Sequence, residues 1–106
     1  MEQREYVRRV LDAYCSTPGT VGMVRRLDRL FALQLHDRAV PLDVVENAMT
    51  LAAARRLARP DDALPLSTIR SLAYFSPVID ELLQSQPSPE YFRHLRIRIA
   101  KQQPSR

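Results

Sequence analysis

The chain has 106 residues, 45% of them apolar and 26% charged, with a formal net charge of +4 at pH 7. This length predicts one domain, residues 1–106, with a modest core. No apolar run approaches the roughly 20 residues that span a bilayer, and the charged start MEQREYVRRV lacks the apolar centre of a secretory signal. We therefore expect a soluble, cytoplasmic protein without a membrane partner. Cys15 is the only cysteine, which excludes an intrachain disulfide.

The positive charge is concentrated near the end of the chain. Residues 1–83 contain eleven arginines and eleven acidic residues, whereas residues 84–106 contain five cations and the single acid Glu90. A neutral body followed by a basic terminal helix favours an anionic partner, most often nucleic acid. Arginine outnumbers lysine fifteen to one. That ratio suits bidentate phosphate contacts, although a bias of the coding sequence is the simpler interpretation.

Apolar residues recur every three or four positions, which predicts an all-α bundle of about five helices. The first three helices are predicted at about Glu2–Cys15, Val21–Arg38 and Pro41–Ala58, where proline suits a first helical turn. The side chains expected in their cores are Tyr6, Val7, Val10, Leu11 and Tyr14, then Val24, Leu27, Phe31 and Leu35 flanked by Met23 and Leu30, then Val44, Val45, Ala48, Met49 and Ala52.

Two further helices are predicted after a loop at residues 59–66. A fourth would begin at Ser67 or Ser71 and reach about Leu83. Pro77 lies inside it and indicates either a kink or a short turn before a new start. A fifth, the basic terminal helix of residues 84–103, would begin at the Ser88-Pro89-Glu90 start signal.

The residues that support catalysis are scarce. His36 and His94 fall on polar helix sides without the spacing of a zinc site. Cys15 lies near a helix C-terminus, where the dipole disfavours the thiolate. Asp61-Asp62 is better explained as an exposed acidic turn than as a metal site, and there is no glycine-rich phosphate loop. We therefore expect a non-catalytic protein with no cofactor and no metal.

The fifth predicted helix carries the strongest basic signal. Phe92, Leu95 and Ile99 form a narrow apolar stripe. The cations on the opposite side and the edge are Arg93, Arg96, Lys101 and, beside Tyr91, Arg98. Ile97 among them is a candidate partner contact. Such a helix binds nucleic acid, an acidic protein or, least favoured here, a membrane surface, and a merely solvated helix stays open.

The second predicted helix offers another basic stripe, formed by Arg25, Arg29 and His36 with Arg26 beside it. The acids Asp28 and Asp37 flank this stripe, so binding and a solvated face with local ion pairs both stay open.

The second and third helices together have the outline of a helix-turn-helix motif. The outward residues of its second helix would be Asp43, Glu46, Asn47, Thr50 and Ala54. Two carboxylates near phosphates are unfavourable, and an ordinary helical hairpin is the alternative.

The most distinctive segment is Ile69–Ile79. In a helix, Arg70 and Tyr74 would share one face, and arginine beside an aromatic ring is a platform for stacking an unpaired base. The alternative, which we favour slightly, places Tyr74 in the core and pairs Arg70 with Asp80 or a helix end.

This segment, preceded by VPLDVVENA at residues 40–48, resembles DnaD-type helical domains of bacterial, phage and mobile-element replication proteins. The family's late Tyr-x-x-x-Ile-x-x-Trp motif would place its tyrosine at Tyr74 and its aliphatic residue at Val78, while Glu81 stands at the tryptophan position. The resemblance covers about residues 30–83 and implies DNA contacts from this late helix.

The sequence therefore predicts a small accessory protein that binds DNA or RNA, in a replication or mobile-element system. The candidate nucleic-acid-binding residues are Arg93, Arg96, Arg98, Lys101, Arg25, Arg26, Arg29, Arg70 and Tyr74. The alternative is a helical protein-interaction subunit of a larger complex, such as a CRISPR effector small subunit. A protein partner or a homo-oligomer is compatible with both.

Overall fold

The structure is a computed structural model that describes residues 1–60 and 62–102. Its helices are α1 (Gln3–Ser16), α2 (Arg26–Asp37), α3 (Leu42–Leu57), α4 (Ser76–Gln84) and α5 (Pro89–Gln102), with a 3₁₀ helix at Leu72–Phe75. In the described ranges the only β-type pairing is an isolated bridge between Thr20 and Ile69. The predicted all-α bundle of five helices is confirmed. Asp61 and residues 103–106, including the basic Arg106, lie outside the described residues.

Helix α3 forms the centre of the bundle. It packs against α1, α4 and α5, while α2 packs on α1 and on the 3₁₀ helix. A helix covered on several sides must be apolar on several sides. Accordingly the buried residues of α3 include all five predicted for it, and Leu51 and Ala53 in addition. None of the α1–α5 helices in the described part of the chain has the length and apolar character needed to cross a bilayer.

Helix α1 contributes the predicted apolar face, and two tyrosines anchor it. All five residues expected in its core are buried. The Tyr6 hydroxyl donates a hydrogen bond to the Val40 carbonyl oxygen at 2.8 Å. Tyr14 is completely buried and meets Phe75 edge-on, with ring centroids 6.2 Å apart. The α1 face is therefore held to the loop before α3 and to the 3₁₀ helix.

Helix α2 begins at Arg26, five residues later than the predicted Val21. Gly22 has a φ of +72°, which an α-helix does not accommodate. Arg25 is extended, and its N–H donates to Asp28 Oδ2 at 2.9 Å. This bond satisfies a backbone donor at the helix entrance and thereby fixes the start of α2.

The core face of α2 is also rotated from the predicted one. The buried residues are Asp28, Ala32 and Leu35. Leu27 is 75% exposed and Leu30 is 41% exposed, so the prediction that Leu27 lies in the core was wrong. Because Asp28 is drawn inward by its backbone hydrogen bonds, the adjacent Leu27, about 100° away around the axis, turns toward solvent.

The segment between α3 and α4 contains two kinds of structure. Ile69 is buried and held by two backbone bonds: its N–H donates to the Gly19 carbonyl at 2.7 Å, and its carbonyl accepts from the Val21 N–H at 3.0 Å. A 3₁₀ helix then leads into α4, whose first turn contains Pro77. Of the two alternatives for Pro77, the new helix start is the one observed.

Candidate nucleic-acid interface

Helix α5 packs on α3 through the predicted apolar stripe and leaves its cations outside. Phe92 and Leu95 are buried and Ile99 is half-buried. The four predicted phosphate-binding residues Arg93, Arg96, Arg98 and Lys101 are all exposed. Arg96 lies at the α3 edge and donates to Asn47 Oδ1 at 2.7 Å, so part of its hydrogen-bonding capacity is used within the fold.

The second predicted basic patch stands apart from α5. Arg25, Arg26 and Arg29 are exposed. They belong to the start of α2, which packs on α1 and the 3₁₀ helix, whereas α5 packs on α3. The two sets of cations are therefore carried by helices with different packing partners.

The structure does not bring Arg70 and Tyr74 onto one helical face. Arg70 precedes the 3₁₀ helix, and Ser71 is extended, with φ −148° and ψ 150°. Arg70 is exposed, and Asp80, its expected partner, instead lies 3.5 Å from the guanidinium of Arg38. The prediction from four-residue spacing was wrong because that spacing places two residues on one face only within an α-helix.

Tyr74 is 45% exposed, so the favoured prediction that it closes the core was wrong. In a 3₁₀ helix, residues three apart lie on the same side. Leu72 and Phe75 take the two core positions, both completely buried. Tyr74 is thereby turned outward, and its ring stands nearly perpendicular to that of Phe75, with a centroid distance of 5.2 Å.

Arg56 of α3 is the cation that accompanies Tyr74. Its guanidinium carbon lies 5.8 Å from the centroid of the Tyr74 ring. Its Nη1 donates to the Tyr74 hydroxyl at 3.2 Å and its Nη2 to the Ser67 carbonyl oxygen at 2.9 Å. These bonds orient both side chains. Arg56 was not among the predicted site residues, although it forms part of the RRLAR cluster at residues 55–59.

A groove of about 380 Å³ opens beside this pair. Its apolar lining comes from Ala52, Leu66, Pro77 and Val78, and its polar lining from Arg55, Arg56, Arg59 and Tyr74. Arg59 Nη2 donates to the Leu64 carbonyl oxygen at 2.8 Å, which holds the loop after α3 against the groove. The arrangement offers an aromatic ring, apolar contacts and guanidinium groups within one concave surface.

The three arginines that line this groove differ in whether a carboxylate pairs with them. Arg55 forms two hydrogen bonds to Glu81, at 3.0 and 2.6 Å, and this contact lowers the pKa of the Glu81 carboxyl. The hydrogen bond to Glu81 raises the pKa of Arg55, and the nearby half-exposed Tyr91 adds to the rise. Among the described residues, neither Arg56 nor Arg59 has a carboxylate within 4.0 Å. Among the described residues that line the groove, Arg56 and Arg59 therefore supply the positive charge that no ion pair offsets.

The arrangement of Asn47 and Thr50 bears on the helix-turn-helix alternative. Both residues are half-buried on α3, and Asn47 accepts the hydrogen bond from Arg96. A recognition helix needs a free face to enter the major groove. Helix α3 packs against α1, α4 and α5, so the structure does not favour this alternative.

The groups considered for catalysis are dispersed. Burial raises the pKa of the Cys15 thiol, and the charges of Asp12 and Asp28 add to the rise, which disfavours the thiolate nucleophile. Over the described ranges, no three histidine, cysteine or carboxylate side chains are grouped as a metal site requires.

No protein-family model, curated protein or solved structure matches this chain. The resemblance to DnaD-type domains accordingly stays a prediction from the residues.

Proposed function

We propose that this protein binds single-stranded nucleic acid, with the groove of Tyr74, Arg56 and Arg59 as the base-stacking site and the cations of α5 as phosphate contacts. The observation that carries the proposal is the half-exposed Tyr74 ring held under the Arg56 guanidinium in a concave surface. Aromatic rings with an accompanying arginine bind bases through their π-faces, largely independently of base identity.

The geometry favours an unpaired strand over a duplex. A base in a duplex is already stacked on both sides, whereas an unpaired base can be splayed out onto a protein ring. Tyr74 lies within a groove instead of on a protruding helix, and the one helix with a predicted recognition role, α3, is covered. The site therefore suits a strand that lays one base into the groove and places its phosphates on exposed cations.

The test is fluorescence anisotropy of labelled oligonucleotides, with single-stranded DNA, single-stranded RNA and duplex DNA compared over a range of salt concentrations. We expect tighter binding of single strands, with log Kd rising with log salt by about 0.7 for each phosphate contact. Arg59→Gln should weaken binding, whereas the charge-matched Arg4→Gln on the exposed part of α1 should change it much less. Absent binding, or binding indifferent to salt, contradicts the proposal.

A second candidate function is a helical protein-interaction subunit. The observation in its favour is the exposure of Met23, Leu27 and Leu30, at 56%, 75% and 41%. Leu27 and Leu30 lie about one turn apart on α2, and Met23 precedes that helix. Exposed apolar side chains that form a patch are typical of protein interfaces. This candidate becomes the leading one if oligonucleotide binding fails.

A further inference from the structure

One stripe of α2 has an unusual order of residues. Arg26, Leu30, Leu33 and Asp37 are spaced by four, three and four positions, which places them in line along one side of the helix. Arg26 and Asp37 are exposed, Leu30 is 41% exposed and Leu33 is half-buried. The stripe is therefore an accessible apolar centre with a cation at one end and an anion at the other.

The two charges oppose the dipole of their own helix. Arg26 is the first residue of α2 and Asp37 is the last, whereas anions are favoured at a helix N-terminus and cations at a C-terminus. The contacts of the described residues leave Arg26 without a carboxylate within 4.0 Å and give Asp37 only the His36 ring, at 3.9 Å. Neighbouring Arg38, by contrast, pairs with Asp80. The fold itself does not compensate the charges at the two ends of the stripe.

We propose that a second copy of this chain covers the stripe, with the two α2 helices antiparallel across a two-fold axis. Read from either end, the stripe has a charge, two leucines and a charge of opposite sign. Arg26 then faces the partner's Asp37, and Leu30 faces the partner's Leu33. Such an interface is isologous, so each contact occurs twice. Each charge also lies beside the end of the partner helix whose dipole favours it.

An apolar groove extends this surface. It has a volume of about 490 Å³ and lies between α1 and α2, where Leu33 lines it together with Val7, Leu11 and Val24. The charged residues of its lining are Arg4, Arg8, Asp12 and Arg29. Because the partner's Leu30 is placed opposite Leu33, its side chain is positioned to enter this groove. The dimer contact therefore includes α1 as well as α2, which enlarges the area buried by each copy.

Sedimentation velocity across a range of protein concentrations tests the proposal. We expect a monomer–dimer equilibrium that Leu30→Glu abolishes, because a charge is placed at the apolar centre. Leu83→Glu on α4 is the matched control, since Leu83 has similar exposure, 44%, outside the stripe. It should leave dimerisation unchanged.

Charge reversal gives a sharper test. Asp37→Arg places an arginine opposite the partner's Arg26 at two symmetric positions, and it should raise the dimer Kd by about tenfold. The same change improves the helix's own dipole interaction, so the monomer should not lose stability. Combining Arg26→Asp with Asp37→Arg should restore the dimer.

A chain that is monomeric at about 1 mM overturns the proposal, as does a dimer that is unaffected by Leu30→Glu or not restored by the double reversal. The stripe and its variants lie on α2, whereas the proposed base-stacking site is the Tyr74 groove. The dimer proposal can therefore fail while oligonucleotide binding is observed, and the reverse.

Discussion

Asp28 and Leu72, 44 positions apart in the chain, are joined by a buried hydrogen bond in which the Leu72 N–H donates to Asp28 Oδ1 at 2.9 Å. The other carboxylate oxygen, Oδ2, accepts from the Arg25 N–H at 2.9 Å. One side chain therefore caps α2 and fixes the start of the 3₁₀ helix. Because Tyr74 belongs to that 3₁₀ helix, Asp28 also determines how the candidate binding ring is presented.

Asp28→Ala should lower the free energy of unfolding by about 2–4 kcal/mol, because the change removes a helix cap and leaves a buried N–H without a partner. Urea unfolding measures this cost. Asp12→Ala is the control, since Asp12 is exposed and, among the described residues, forms an ion pair with Arg8 alone, at 3.4 Å. This variant should cost at most about 0.5 kcal/mol. Equal costs for the two variants would contradict the role assigned to Asp28.

Because of the observed orientation of α2, we expect Leu27 and Leu35 to contribute very differently to the free energy of folding. Leu35→Ala removes a completely buried side chain and should cost about 2–5 kcal/mol of folding free energy. Leu27→Ala, at a position that is 75% exposed, should stay within about 0.5 kcal/mol. Thermal melts of both variants test this expectation. A large loss of thermal stability for Leu27→Ala would mean that Leu27 lies in the core, as the sequence predicted.

The sequence predicted α1 and α3 well because their apolar residues alone determine which side is buried. It misplaced the buried face of α2 because that face includes Asp28, whose burial depends on the distant Leu72 N–H. No local pattern signals a carboxylate that is satisfied by backbone from another part of the chain. Hydrophobic spacing was therefore sufficient to predict the buried face of a helix where the core is apolar. It was insufficient where a buried polar side chain forms part of that face.

The candidate site was predicted only in part, and the reason is again a contact between distant parts of the chain. Tyr74 was identified as a stacking residue, but its orientation depends on three residues per turn instead of 3.6. Its cation was assigned to Arg70, the neighbour in sequence, whereas the structure supplies Arg56 from eighteen positions earlier. That pairing arises from the packing of α3 against the 3₁₀ helix, which spacing within one segment cannot reveal.

Because the Tyr6 phenol is buried, we expect the free energy of unfolding to depend on pH in the alkaline range. Desolvation raises its pKa from 10.0 to about 12, with Arg38 acting in the opposite direction. Because the unfolded state loses this proton first, the contribution is fully present below pH 10 and is lost as pH rises toward 12. The loss should reach about 2–3 kcal/mol.

Urea unfolding at several pH values measures this effect as the difference between the wild type and Tyr6→Phe. The phenylalanine variant keeps the ring but lacks the ionising group and the bond to the Val40 carbonyl. It should be less stable than the wild type at neutral pH, and the gap should narrow above pH 10. A constant gap would show that Tyr6 ionises alike in both states.

If Tyr74 stacks on a base, Tyr74→Ala should weaken single-strand binding by about 1–3 kcal/mol. The ring is nearly half exposed, so the accompanying loss in a thermal melt should stay well below the roughly 3–5 kcal/mol expected for a core aromatic residue. Tyr74→Phe keeps the π-face and should retain most of the affinity.

Tyr91→Ala is the matched control for Tyr74→Ala, since Tyr91 is 44% exposed but stands beside the Arg55–Glu81 pair. It should weaken binding less than Tyr74→Ala. Similar losses from both variants, or a loss from Tyr74→Phe as large as from Tyr74→Ala, would argue against stacking in the groove.

The exposed cations of α5 should determine the salt dependence of binding. Replacing Arg93 and Lys101 together with glutamine removes two candidate phosphate contacts, and should flatten the slope of log Kd against log salt by about 1.4 for a single strand. Folding should be nearly unaffected, because both side chains are exposed and neither belongs to the hydrophobic core. Arg96→Gln should in addition lower stability, since Arg96 bonds to Asn47.

The control for this slope is the double variant of Arg4 and Arg9 to glutamine on α1, which makes the same change in net charge at exposed positions. If affinity followed net charge alone, both double variants would flatten the slope equally. Direct phosphate contacts on α5 predict a change confined to the Arg93 and Lys101 variant, because counterions are released only where phosphates are neutralised. An equal response would remove α5 from the binding surface.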